Sequence, residues 1–303
     1  MNRNDLNGEK VTLSEPIGIK QPLHETVCLD MAEFYDCMLS KEKYFRVKFR
    51  DDLHNEYLRY RPDIVKLMGD ACDDLHLLTA TAHCAIFYFD RIIVSCERVS
   101  RTHWPLTMSA CISIAMKYNE TEDGYSPTVW QIQKALKVPK IWSNKYFRER
   151  GEINVLKILE WNLSALPPVY FVEFYIANGV LFVDDKGYLL KYSNTREIMS
   201  IFEQYANFFC VLCMAQHDLR SIPSSIISSA IIHLIRQVLG VQPWRRELKL
   251  LTGFVSNDLK IVIDTIKRIY HREYPDHFFS TLGYMEYSID SLCQTMVLST
   301  KIQ

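Results

Sequence analysis

The chain has 303 residues, 48% hydrophobic and 23% charged, with a formal net charge of −1. That length holds one large domain or two ordinary ones, and the composition is that of a soluble globular protein. The near-zero charge gives no support to a nucleic-acid or acidic-membrane partner, which would leave a basic excess. No two of the ten glycines lie close enough to cradle a phosphate.

Residues 1–26 are polar, carry no apolar core of a signal peptide, and read as disordered or loosely attached. Residues 27–54 hold a first helix, "LDMAEFYDCMLSKEKYF", with Met31, Phe34, Tyr35, Met38 and Leu39 on one face. Five helices follow within residues 55–165: "RPDIVKLMGDACDDLHLL", "TATAHCAIFYFDRIIVS", "THWPLTMSACISIAMKY", "SPTVWQIQKAL" and "RERGEINVLKILEWNL". Pro62 in a first turn, Thr79 and Ser126 as N-caps, and Pro127 mark their starts. Pro167-Pro168 stops the fifth helix and opens the next, which places a boundary near residue 165. Residues 166–279 repeat the plan with "PVYFVEFYIANGV", "NTREIMSIFEQYANFFCVLCMA", "PSSIISSAIIHLIRQVLG", "WRRELKLLTG" and "SNDLKIVIDTIKRIYHREY", and 280–303 form a C-terminal tail.

Convincing strand alternation is absent, so the fold class is all-α. The third helix of each set starts at proline and mixes Ser, Ala and Ile nearly all the way round. A helix apolar on every face belongs in the middle of a bundle. The pattern predicts two tandem five-helix bundles behind an N-terminal helix. The longest apolar run contains His233 and Arg236 and is short for a membrane span.

Reactive groups do not converge on any motif. There is no HExxH, GxSxG, phosphate loop or paired-carboxylate motif, so neither an enzyme site nor a cofactor is expected. Nine dispersed cysteines read as reduced thiols of the cytosol or nucleus. Cys210-Val-Leu-Cys213 has half-site spacing but lies mid-helix with no second ligand pair, so packed thiols are the reading there and no metal is expected. His83, on the apolar face of its helix, reads as a satisfied core residue, and Asp90-Arg91 as a source of intramolecular ion pairing. Lys117 ends the apolar run "ACISIAMKYNETED"; from these residues alone it reads as a cation at a helix C-terminus.

"LTATAHCAIFYFDRI", "SACISIAMKYNETED" and "EINVLKILEWNLSALPPVYFVEFY" resemble the cyclin box, and the resemblance spans about residues 28–275. "KYNETEDG", "YANFFCVLCMAQHDL" and "IPSSIISSAIIHLIRQ" are most similar to the J type. The resemblance implies the cyclin fold and a non-catalytic subunit that binds and activates a cyclin-dependent serine/threonine kinase in cell-cycle control. It also implies that Lys117 and Glu152 hold the backbone of one kinase helix, the lysine donating to carbonyls and the glutamate accepting from amides. Surrounding contacts are then Ile114, Tyr118, Leu156 and Leu163, with Phe34 and Met38 from the N-terminal helix. Lysine offers only donors and ionised glutamate only acceptors, which suits the two ends of a partner's peptide groups.

The substrate-docking groove of many cell-cycle cyclins matches "YRPDI" here. Arg61 survives, but Tyr60, Asp63, Ile64 and Leu67 sit in a stretch where Pro62 and an acid replace small and aliphatic residues. That predicts an altered groove, because an acid lining an apolar groove costs desolvation. Substrate or inhibitor proteins remain possible partners, and residence in the nucleus, or the cytoplasm, follows from the family alone. The alternative reading is a cyclin-fold transcription or scaffold protein that binds partners without activating a kinase.

Overall fold

The computed structural model describes residues 13–18, 31–96, 99–120, 126–138, 141–187 and 194–275. Its helices are α1 (Met31–Phe45), α2 (Asp51–Asp74), α3 (Thr79–Ser95), α4 (Trp104–Asn119) and α5 (Val129–Ala135). A composite α6 runs from Asn144–Tyr146 through a π-helical turn at Phe147–Glu152 into Ile153–Ile158. Then come α7 (Pro168–Asn178), α8 (Thr195–Met214), α9 (Ser224–Val238), α10 (Arg246–Thr252) and α11 (Ser256–Glu273). Extended pairing among the described residues is limited to one isolated antiparallel bridge, Pro16 to Phe182. The all-α tandem arrangement stands. None of the described helices is long and apolar enough to cross a membrane.

Each bundle is built around its third helix. α4 is buried from Met108 to Met116, with α3 packed along it, and α9 is buried over most of its length. Their buried serines are accommodated because each hydroxyl donates to a nearby carbonyl or carboxylate, as Ser109 Oγ to Pro105 O at 2.7 Å and Ser229 Oγ to Ser225 O at 2.8 Å. Arg236, wholly buried in α9, is held by Asp185 at 2.8 Å and by the carbonyl oxygens of Val180 and Gln242. Cys210 and Cys213 are buried, unbridged thiols whose pKa values burial drives upward.

Several local expectations are corrected. α2 begins at Asp51, eleven residues before Pro62, so this proline lies inside the helix. It sits on the exposed side, where the missing N–H deprives only the carbonyl one turn earlier. α5 is capped by Thr128, whose side chain pairs reciprocally with Gln131, and not by Ser126. Thr79 is the first residue of α3; its preceding turn is held by Glu120, which accepts from Leu78 N and Thr81 Oγ at 2.7 Å each. Of the N-terminal segment, residues 13–18 lie against the second bundle, a departure from loose attachment; the remainder of 1–26 falls outside the described residues.

α1 belongs with the second bundle. Tyr35 stacks on Phe174 with ring centroids 5.3 Å apart and donates to Thr252 O at 2.9 Å. Glu42 accepts from Ser225 N and Oγ at 2.7 and 2.8 Å, which puts a carboxylate on the N-terminus of α9. Burial raises the Glu42 pKa despite those bonds.

The two bundles meet over a buried ion pair. Arg61 on α2 forks onto Asp90 on α3 at 2.8 Å, and Asp90 also accepts from Tyr57 Oη at 2.5 Å. The remaining Arg61 nitrogen donates to Met214 O, the last residue of α8, at 3.0 Å. Asp90 thus takes its partner from α2, while Arg91 turns to Asn162 O at 2.8 Å and to the ring of Phe45.

His83 is buried as expected, but it is not satisfied: Nδ1 has no hydrogen-bond partner among the described residues. Burial pushes its pKa down to about 4. The unfolded chain binds a proton below about 6.5 and the folded chain does not until about 4, so stability is lost as pH falls through that window. The shift corresponds to about 3 kcal/mol. Urea midpoints should therefore drop between pH 6.5 and 4, and His83→Gln should flatten that slope. An unchanged slope in the variant would place the titration elsewhere.

Candidate partner-binding site

α4 carries Ser113 and Lys117 one turn apart on the same side, and α6 brings Glu152 up to both. Lys117 Nζ lies 2.5 Å from Glu152 Oε1, and Ser113 Oγ donates to that oxygen at 2.6 Å. The two ends of the pair differ in exposure. The lysine side chain is 56% exposed and the glutamate only 11%. A buried serine hydroxyl and a half-free ammonium therefore fix the carboxylate, while the ammonium keeps donors directed to solvent.

The π-helical turn places Glu152. A π-turn adds a residue to the helix locally and is common at functional positions. Gly151 within it lets the turn approach α4 closely: a Cβ there would lie 3.3 Å from Leu106 Cδ1 and 3.5 Å from Ala110 Cβ. Gly151→Leu should push α6 off α4, carry Glu152 away from Ser113, and cost about 1–3 kcal/mol in urea unfolding. A loss below that range would mean the turn is not seated as described.

The expected contact residues divide. Tyr118 is exposed beside Lys117, and Leu156, one turn beyond Glu152, is half-buried, as is Leu163. Ile114 is corrected: at 5% exposure it belongs to the first bundle's core, because α4 has no free face at that level. Met38 is corrected likewise, being 6% exposed within the second bundle's core. Phe34 stays exposed while stacking on Phe174 at 5.8 Å.

The "YRPDI" stretch also divides. Arg61 is corrected from a groove residue to the buried partner of Asp90, and Ile64 is core. Asp63 points to solvent, Leu67 is half-buried, and Tyr60 lies under the Arg101 guanidinium at 4.2 Å.

One residue not anticipated from sequence joins the site, and a second stands exposed past the end of the same helix α6. Ser113 looked like a small core residue, and only its position one turn before Lys117 signals its role. Trp161, just past α6, is 67% exposed, and both it and Glu160 adopt left-handed backbone at φ 58° and 54°. Such conformations cost of order 1–3 kcal/mol each for non-glycine residues and persist where neighbours impose them. Here Tyr88 Oη and Arg91 Nη1 pin the next carbonyls, Leu163 O and Asn162 O, at 2.8 Å each.

Sequence profiles of two domains match the chain: the cyclin N-terminal domain over residues 33–164 and the cyclin C-terminal domain over 186–294. A cyclin-D from Ostreococcus tauri is 31% identical over 61% of this chain and 48% of its own length. Cyclin-J from Xenopus laevis is 22% identical over 70% of this chain and 53% of its own length. The chain thus spans about half the length of these curated relatives, or less for a Drosophila melanogaster G2/mitotic-specific cyclin-A, of which it covers 38% at 26% identity. In fold it is similar to a viral cyclin from herpesvirus saimiri, with a TM-score of 0.55 at 13% identity, covering 78% of this chain and 99% of that one. A chain of the yeast RNA Pol II CTD kinase CTDK-1 complex aligns with a TM-score of 0.50 at 13% identity, covering 78% of this chain and 72% of that one. With both halves of the tandem fold matched, at the positions where the two bundles lie, the chain belongs to the cyclin family.

Proposed function

We propose that this chain is a non-catalytic subunit that binds a cyclin-dependent serine/threonine kinase and activates it, in the control of cell division. One observation carries the reading: a lysine and a glutamate from neighbouring helices converge at the surface end of the central helix, with Tyr118 next to the lysine and Leu156 one turn past the glutamate. Cyclins as a family are non-catalytic regulatory subunits. The yeast chain with a similar fold was solved in a kinase complex, which supports a kinase as the class of partner.

The mechanism is population shift. The ammonium of Lys117 donates to carbonyls at one place on a kinase helix, and Glu152 accepts from amides at another. Both bonds are charge-assisted and gain strength as the apolar surround excludes water. Binding favours the kinase state whose regulatory helix is turned inward, which completes the lysine–glutamate pair that positions ATP phosphates. Nucleotide and magnesium are the kinase's to hold, and the interface should bury more than about 1,000 Å².

The test is affinity capture of the tagged chain followed by assay of the captured material for serine/threonine phosphorylation. ATP-dependent activity recovered with wild type and lost with Lys117→Glu supports the proposal. Capture of partners without kinase activity, in both, would favour the scaffold reading.

A further inference from the structure

Residues 13–18, "LSEPIG", run extended across the second bundle. Ile17 N donates to Leu181 O at 2.8 Å, and Val183 N donates back to Glu15 O at 2.9 Å. Ser14 N donates to Glu247 Oε1 at 2.9 Å, and Arg245 holds that carboxylate through both of its oxygens at 3.3 Å each. Ile17 is buried with the second core.

The surface underneath is shaped for the segment. Gly179, at φ +105°, ends α7 beneath Pro16; a Cβ there would stand 2.4 Å from Pro16 Cβ. Gly18, at φ +70°, crosses Met199 at the start of α8, and a Cβ would come within 2.5 Å of Met199 Cγ. Main-chain bonds to an exposed edge, with alternate side chains in contact below, are how sheet-like peptide recognition works.

We infer that the second bundle carries a docking groove for an extended segment of the pattern proline–aliphatic–glycine, formed by the end of α7, residues 180–183, the first turn of α8 and Glu247. This chain fills the groove with its own residues 13–18. The inference is independent of the kinase reading, since no residue of the Lys117–Glu152 site takes part.

The test uses the full chain and hydrogen exchange at the Val183 amide, read by NMR. In Ile17→Asp that amide should exchange at least tenfold faster, with amides in α9 unchanged as the folding control. A free peptide spanning residues 13–18, added in excess, should restore its protection in the variant, and the same peptide carrying Ile17→Asp should not. Gly18→Val, which leaves every groove side chain intact, should repeat the pattern. Equal Val183 exchange in wild type and both variants, or no protection by the peptide at millimolar concentration, would overturn the groove. Protection in wild type that falls on dilution would show a second copy supplying the segment, which would overturn its filling in cis.

Discussion

If the proposed kinase partner binds at this site, Lys117→Ala should weaken its capture by about 30-fold or more while the fold survives. The side chain is more than half exposed, so its truncation opens no cavity. Its pairing with Glu152 in the free chain is a partly exposed ion pair, worth no more than about 1 kcal/mol. In the proposed complex the same ammonium would be desolvated among apolar neighbours, where truncation of a central contact costs about 2 kcal/mol or more, or roughly 30-fold in affinity. Lys117→Glu should be worse, because it sets two carboxylates against one another. Titration of each variant against the purified kinase, beside urea midpoints, separates binding from folding. Wild-type affinity in Lys117→Ala would end the assignment of this site.

Arg61→Ala is expected to cost about 3–5 kcal/mol in urea unfolding. It strands Asp90, a buried carboxylate left with Tyr57 alone, and frees the Met214 carbonyl. Arg61→Lys should recover only part, since one ammonium cannot fork onto Asp90 and also reach Met214. The double variant Arg61→Met, Asp90→Leu should sit closer to wild type than Arg61→Ala, because no charge is stranded. A cost below about 1 kcal/mol for Arg61→Ala would mean that water reaches Asp90 at the seam.

What sequence periodicity conveyed was the pair of central helices. "PLTMSACISIAMKY" and "PSSIISSAIIHLIRQV" leave no polar face, and that pattern has few solutions other than burial on all sides. Helix starts were less legible: Pro62 resembled a first-turn proline until the preceding eleven residues proved helical, a choice made by Tyr57 and His54 packing inward. The site needed more than spacing. Glu152 reaches Lys117 through a π-turn that periodicity does not encode, and the pairing was anticipated from resemblance to other cyclins. Ile114 and Met38 were misplaced because apolar residues near a site read alike whether they face a partner or a core. Residues 13–18 were missed because "LSEPIG" is too short and polar to announce a fold; its partners lie more than 160 residues away in sequence, as the separation of Ile17 from Leu181 illustrates.

The pinned turn after α6 also makes this protein its own optical probe. The indole of Trp161 meets water and that of Trp130 is half in it, whereas Trp104 is sealed against Tyr57 and Phe89. Of the five tryptophans, acrylamide should therefore quench Trp161 and Trp130 most readily and Trp104 least, with the half-buried Trp142 and Trp244 between them, without any dye attached. A blue shift confined to the quenchable fraction would report that one of these two exposed indoles had been covered, and Trp130→Phe would assign it to Trp161.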